Sequence, residues 1–405
     1  MRLELKVKRL QKKRSRRYYD FKKVLSYSFK VHLKPLEDEL LSSWLTRMAH
    51  IHYKYPTTFF SLYLNDNRKS SYTRRDIDFY NDQIFFDYLL KKSILTKEEL
   101  LNMSLRGQEG YLFINQSLYP PHQIRRLVDK RTHYGLMYCP KCLREDKTPY
   151  WRKKWRYFFY TACPKHKIFL TDRCWHCYKP IKLLKIKLNN KINCCSNCSA
   201  NLSLTETYQD ILPDEYGLKA IKWFEDGLQK GYFEINGQKI WSVMFFHIFC
   251  KLSSLLDRKE NLKLTNFIML NKYQEICKKS RIYNSKKSSM IYKSFYLNSM
   301  IYHLFQNFPN NFNDFIVLNK LTYKEFTHGL NYIPFWYENL ISELIPKQNK
   351  IGRKINESEV LGAIKYLKNI GERVNIINIA EIVGCHATIH KGFNKIYKNL
   401  KWDRS

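Results

Sequence analysis

The chain has 405 residues, 44% hydrophobic and 16% aromatic, enough apolar material for about two to four domains with real cores. Lys plus Arg number 71 against 36 acidic residues; a formal charge of +35 opposes compaction and implies a polyanionic partner, nucleic acid before an anionic membrane surface. A bilayer-spanning helix is excluded, because the most apolar run, Trp241 to Cys250, is about half of the roughly 20 residues a span takes.

In chain order, residues 1–30 carry twelve Lys or Arg and two acidic residues, densest at Lys12-Lys13-Arg14-Ser15-Arg16-Arg17, and read as a self-repelling basic tail that orders on phosphate. Residues 31–135 read as a small helical domain. Leu41, Trp44, Leu45 and Met48 recur at steps of three and four and predict a helix over 38–52. Asp82 to Ile94 predicts a second, with Ile84, Phe85, Tyr88 and Leu89 facing in. Thr96 and Glu99 form a capping box for a third, through Met103, before Pro120-Pro121 interrupts the chain. The acidic pairs Asp76/Asp78 and Asp82/Asp87 lack metal-site spacing and read as solvated surface.

Residues 136–203 carry four ligand pairs, each with two residues between: Cys139/Cys142, Cys163/His166, Cys174/Cys177 and Cys195/Cys198. Twenty residues separate the first two pairs and seventeen the last two, a tandem zinc-ribbon spacing. Cys139, Cys142, Cys163 and His166 form one Zn²⁺ set; Cys174, Cys177, Cys195 and Cys198 form the other, with Cys194 an alternative to Cys195 and His176 a competitor for a neighbouring thiolate. Two Zn²⁺ per chain are expected, both structural, since four protein ligands leave no place for water. With seven of eleven cysteines in zinc spacing and no apolar signal segment at the start, a reducing, cytoplasmic location is expected. In this segment Trp151-Arg152-Lys153-Lys154-Trp155-Arg156 interleaves aromatic and basic side chains. Trp155 is expected in the ribbon core, and Arg152, Lys153, Lys154 and Arg156 are candidates for a nucleic-acid face.

Residues 204–347 read as a helical domain, with helices over 215–230, stopped by Gly231, and over 241–256, and an exposed basic stretch at 278–293. Cys250, Cys277 and Cys385 are too far apart for a local site and read as buried thiols. After a polar linker at 348–354, residues 357–370, 375–383 and 387–400 predict three helices. Ile379, Ile382, Val383, Gly384 and Ile389 fit the core and turn of a helix-turn-helix, which puts Thr388, His390, Lys391, Asn394 and Lys395 on its recognition helix, facing double-stranded DNA.

Tyr138-Cys139-Pro140-Lys141-Cys142-Leu143, Trp155, Cys163-x-x-His166 with Leu170, and Cys174-x-x-Cys177 resemble the TniQ/TnsD family. So do Pro35-x-Glu37 with Glu39-Leu40-Leu41-Ser42-Ser43-Trp44-Leu45-Thr46-Arg47-Met48-Ala49 upstream, and Phe305-x-x-Phe308-Pro309-x-x-Phe312 downstream. The likeness runs from about 34 to 177 and is traceable to about 315. Leu40 stands where the family usually has Ser; Lys167, Tyr178 and Ser199 stand where Gly is common, and bulky residues there ask for a different turn. The resemblance implies a mainly α fold, with a helical, helix-turn-helix-like N-terminal domain, zinc ribbons and a helical C-terminal part. It implies a transposition accessory protein, not an enzyme, in bacterial cytoplasm at the nucleoid. Some members read a DNA attachment site; others sit, as dimers in some cases, on a Cascade-type CRISPR RNA complex and pass the target to the transposon's AAA+ ATPase. The competing reading is a zinc-dependent transcription regulator using the same ribbons and helix-turn-helix. Catalysis has no motif to rest on: no Walker A, no Gly-rich phosphate loop and no catalytic-zinc signature.

Overall fold

The computed structural model describes residues 29–63, 76–79, 83–114, 121–124, 136–206, 212–258, 263–265, 267, 270–271, 273–275, 289–345, 355–385, 393, 396 and 397. The basic tail up to residue 28, most of the basic stretch at 278–293, Cys277 and the linker lie outside them. The architecture is mainly helical with few strands, in two compact units: Met1–Gly107, Arg126–Arg156 and Thr171–Glu206 form the first, and Gln108–Arg125, Tyr157–Leu170 and Thr207–Ser405 the second. Among the described residues, no helix is long and apolar enough to cross a membrane.

The first unit is organised around α1 (Leu41–Ile51). Its stripe Leu41, Trp44, Leu45 and Met48 is fully buried, packed with Phe59 and Phe60 of α2 (Pro56–Tyr63), Phe85 and Leu89 of α3 (Gln83–Lys92), and Leu100 and Met103 of α4 (Lys97–Met103). The Thr96/Glu99 capping box forms at the start of α4, with Glu99 N–H donating to Thr96 Oγ1 at 3.1 Å and Thr96 N–H to Glu99 Oε2 at 2.9 Å. In α3 the sequence expectation needs one correction. Ile84 is 64% exposed and Phe86 is buried in its place. At 100° per residue, Phe85, Phe86 and Leu89 centre the inward face, and Ile84 falls off its edge.

The N-terminus of α1 carries a polar device. Its early N–H groups have no intrahelical acceptor, and a carboxylate there also meets the positive end of the helix dipole. Asp78 supplies it: Ser42 N–H donates to Oδ1 at 2.7 Å and Ser42 Oγ to Oδ2 at 2.9 Å. Glu39, one turn away, accepts from Leu36 N–H at 3.0 Å, from Ser43 Oγ at 2.8 Å and from Arg47 at 2.5 Å.

The second unit builds on α6 (Glu215–Lys230) and α7 (Ser242–Arg258). Asp214 caps α6 by accepting from Gly217 N–H at 3.0 Å, and Gly231 ends it at φ 81°, a left-handed position where a Cβ would meet the Tyr366 ring. Between the two helices lies an antiparallel hairpin, β3 (Tyr232–Ile235) with β4 (Gln238–Trp241), absent from the helical reading of this stretch. Asn236 and Gly237, both at positive φ (50° and 74°), make its two-residue turn, the strongest short hairpin signal in a sequence. Trp241, expected at a helix start, therefore ends β4, and its indole N–H donates to Gly110 O at 2.8 Å. Phe224, Phe245, Phe246 and Phe249 fill the core beside Phe159 and Phe233.

α12 (Glu357–Asn369) and α13 (Ile376–Val383) share a core with Trp241, Val243 and Met244, for which we number the helices between as α8 (Ser289–Phe305), α9 (Asn310–Leu318), α10 (Tyr323–Thr327) and α11 (Phe335–Leu344). Asn356 and Glu359 cap α12 reciprocally, Asn375 caps α13, and Gly384 ends it at φ 77°.

Candidate metal centres

Each ligand pair sits on a turn that the chain builds locally. Cys139 is the N-cap of α5 (Pro140–Glu145), and its Sγ accepts from Cys142 N–H at 3.4 Å, with Pro140 at the position where a missing N–H is harmless. Cys163 ends β1 (Ala162–Cys163), which pairs with β2 (Ile168–Phe169), so His166 lies in the loop of a short hairpin. The remaining two pairs repeat that loop. Lys167 N–H donates to Cys163 O at 2.8 Å, Tyr178 N–H to Cys174 O at 3.0 Å and Ser199 N–H to Cys195 O at 3.0 Å.

These three bonds correct the expectation drawn from the bulky residues. Lys167, Tyr178 and Ser199 adopt φ of 52°, 54° and 66°, so the turn that suits Gly is retained and the side chain is carried through it. A left-handed non-Gly residue costs roughly 1–2 kcal/mol. Closing two ligands on one point outweighs that cost, given apparent metal-binding energies of about 10–16 kcal/mol per structural site.

The donor atoms of Cys139, Cys142, Cys163 and His166 lie within 4.8 Å of one another, and so do those of Cys174, Cys177, Cys195 and Cys198. The spacing tests the metal. Tetrahedral zinc, with Zn–S near 2.3 Å and Zn–N near 2.0–2.1 Å, requires S···S edges of about 3.8 Å and S···N edges of about 3.6 Å. Cys174 and Cys198 Sγ are 3.6 Å apart, Cys177 and Cys195 Sγ 3.7 Å, and Cys163 Sγ is 3.5 Å from His166 Nδ1. None of the described cysteines is in a disulfide. Burial, with hydrogen bonds to Cys198 and Cys195, pushes the Cys174 thiol up to about 12, and burial raises Cys195; against burial, hydrogen bonds from Lys179 N–H and the neighbouring thiols lower Cys177 to about 7, and a coordinated thiol is deprotonated. Two closed sets of four soft and imidazole donors are compatible with zinc ribbons and offer no open coordination position. Cys194 and His176 stand outside both groups.

A frame of buried polar contacts holds the second set. Tyr138 and Thr171 exchange backbone bonds at 2.9 Å each way, and Tyr138 Oη donates to Arg173 O at 3.0 Å. Arg144 of α5 donates twice to Ser203 O, at 3.0 and 2.6 Å. Trp151 Nε1 donates to Ile192 O at 3.2 Å, and Trp151 N–H to Ser43 Oγ at 3.0 Å. Ser43 thus links Glu39 to the ribbon segment, which gives the Glu39–Arg47 motif a folding role.

The basic–aromatic stretch 151–156 belongs to this frame. Trp155 is in the core, as expected. Arg156, expected on a nucleic-acid face, is 1% exposed and holds Asp76 at 2.6 and 3.2 Å and Asp78 at 3.2 Å. Asp78 is therefore fully buried rather than solvated, and burial raises its carboxyl to about 7 against the Arg156 charge. Lys153 is buried, donates to Asn102 O and is lowered by that burial, with Asp38 opposing the shift. Arg152 makes a bidentate pair with Asp146 at 2.7 and 3.1 Å and lies over the Tyr150 ring at 4.3 Å. Lys154 is half-buried, its N–H on Asp38 at 3.2 Å. Arg152, Lys153 and Arg156 thus hold Asp146, the Asn102 carbonyl, and Asp76 with Asp78, which gives each a structural role in this frame. Thr388, His390, Lys391, Asn394 and Lys395 lie outside the described residues.

Among known proteins, residues 30–170 match the family model TniQ, a span that includes the Glu39–Arg47 motif and the whole of the first ligand set. No curated protein matches the chain.

Proposed function

We propose, from the TniQ family membership that the match over residues 30–170 supports, that this chain is an accessory protein that selects target sites in transposition. The TniQ domain is associated with target-site selection proteins, and that match is the observation that carries the reading. In this proposal the chain performs no catalysis. It contacts double-stranded DNA, a Cascade-type guide complex or both, and hands the site to the transposon's AAA+ ATPase. Zn²⁺ is the ion assigned to both ligand sets, by the donor types and the tetrahedral spacing. Each ion holds turns together and takes no part in a reaction.

Insertion-site profiling with and without the chain is the test. Loss of insertions at the preferred site supports the role; an unchanged distribution sinks it. Pull-downs against an attachment-site duplex, a Cascade complex and the ATPase separate the modes of targeting. If residues 375–400 read bases, Asn394→Ala weakens binding by about 1–3 kcal/mol at one preferred base pair, while Lys391→Ala weakens all sequences alike if it touches phosphate.

A further inference from the structure

The second unit contains a cavity of about 580 Å³ lined by Lys251, Leu255 and Arg258 of α7 and by Thr322, Lys324, Glu325 and His328 at and beside α10. Three permanent cations and a histidine meet there with one carboxylate. That carboxylate is already engaged: Glu325 Oε2 accepts from Thr322 N–H at 2.8 Å and from Thr322 Oγ1 at 3.1 Å. Lys251 feels the Glu325 charge, and the hydrogen bonds of Lys251 and Arg258 go to neutral acceptors. Lys251 Nζ donates to His328 O at 2.5 Å, and Arg258 donates to Ser254 Oγ at 2.8 Å. Burial depresses Lys251, and the neighbouring Arg258 charge adds to the effect. Arg258, Lys324 and His328 are exposed at the mouth, Lys251 is half-buried, and Leu255 is buried.

A concave site with mutually repelling cations is an anion site by Coulomb's law, and low-dielectric walls strengthen the effect. Its volume lies in the range of nucleotide-sized ligands rather than of a single small ion. The lining has no Phe, Tyr or Trp ring to stack a base and its cations outnumber its one imidazole, so the contact is with backbone. Arg258 supplies the planar fork that suits phosphate oxygens, and the lysines supply point charges.

We propose that this cavity seats a phosphodiester of a nucleic-acid backbone, with Lys251 inside and Arg258 and Lys324 at the mouth. The inference rests on the reading that the chain works on nucleic acid. It adds a contact, independent of sequence, in a part of the chain that the family match does not reach.

The test uses the full-length, zinc-loaded protein and a duplex of about 30 base pairs in two unrelated sequences. Each phosphate neutralised contributes about −0.9 to the slope of log K against log salt. Arg258→Gln with Lys324→Gln should therefore reduce the slope by about 1 to 2 and weaken both sequences alike, with an unchanged melting temperature. Lys219→Gln with Lys222→Gln, exposed on α6, removes the same charge elsewhere and should leave most of the slope in place. An unchanged slope in the cavity variant, or an equal drop in the α6 variant, overturns the site while target selection stands. If the wild-type protein binds no duplex, direct DNA contact falls instead. The cavity is then judged with single-stranded RNA of the same length, where binding that the cavity variant does not weaken overturns it.

Discussion

Two groups of basic side chains in this molecule meet different partners, one contiguous in the sequence and the other gathered by the fold. Arg152, Lys153 and Arg156 meet Asp146, the Asn102 carbonyl, and Asp76 with Asp78. Lys251 and Arg258 meet a carbonyl and a hydroxyl, and the one carboxylate beside them is bound to Thr322. The first cluster is neutralised and built into the frame around the ribbons. The second exposes Arg258 and Lys324 at a cavity mouth, with Lys251 half-buried behind them. Local density of Lys and Arg therefore says little about where a polyanion binds; what decides is whether the fold brings acceptors to those cations.

The largest effect is expected at the second ligand set, whose ligands all lie in the first unit with the Arg152–Arg156 frame. Cys177→Ser with Cys198→Ser should take the zinc content from about two ions per chain to one, removing about 10–16 kcal/mol of apparent binding energy from that segment. Protease should then cut at Lys153 and Lys154, while the α7 and α10 region stays protected. Retention of both ions, read by elemental analysis, would refute the ligand assignment; fewer than about 1.5 zinc ions in the unmutated chain would do so too.

The next effect is at Arg156. Arg156→Ala strands Asp76 and the buried Asp78, and should cost about 3–5 kcal/mol in urea unfolding of the first unit. Adding Asp78→Asn should recover part of this loss, because the uncompensated charge is gone. A loss below about 0.5 kcal/mol, the usual scale of surface substitutions, would refute the structural role of Arg156.

Smaller still is the strain in the knuckle turns. Tyr178→Gly removes a left-handed non-Gly residue and should stabilise the metal-loaded protein by up to about 1 kcal/mol, seen as slower zinc loss to a chelator. Faster loss would mean that the exposed Tyr178 ring holds the knuckle by contacts of its own. The smallest stability effect sharpens the contrast: Arg258→Gln with Lys324→Gln should change unfolding by less than about 0.5 kcal/mol while flattening the salt dependence of nucleic-acid binding. A large destabilisation there would make the two clusters alike after all.

The metal ligands were legible because a metal knuckle is local. Two donors with two residues between define the turn, and the hydrogen bond from the residue after the second donor back to the first completes it. The α1 stripe, the Thr96/Glu99 box, the stop at Gly231 and the turn at Gly384 were legible for the same reason, since periodicity and caps span a few residues. The β3–β4 hairpin was just as local, marked by Asn236-Gly237 between alternating apolar residues, and the apolar content of Trp241 to Cys250 masked it.

Short-range pattern in the chain sets which residues can gather a metal, where α1, α6, α12 and α13 run and which family the chain resembles, because each depends on side chains a few positions apart. The fate of the charges depends instead on long-range packing. Arg156 is 80 residues from Asp76 and 78 from Asp78, and Lys251 is 77 from His328. No spacing rule reaches across such separations. An ionised group has a different free energy beside a carboxylate in a dry core and beside another cation at an open cavity, and that difference is set by what folding places next to it.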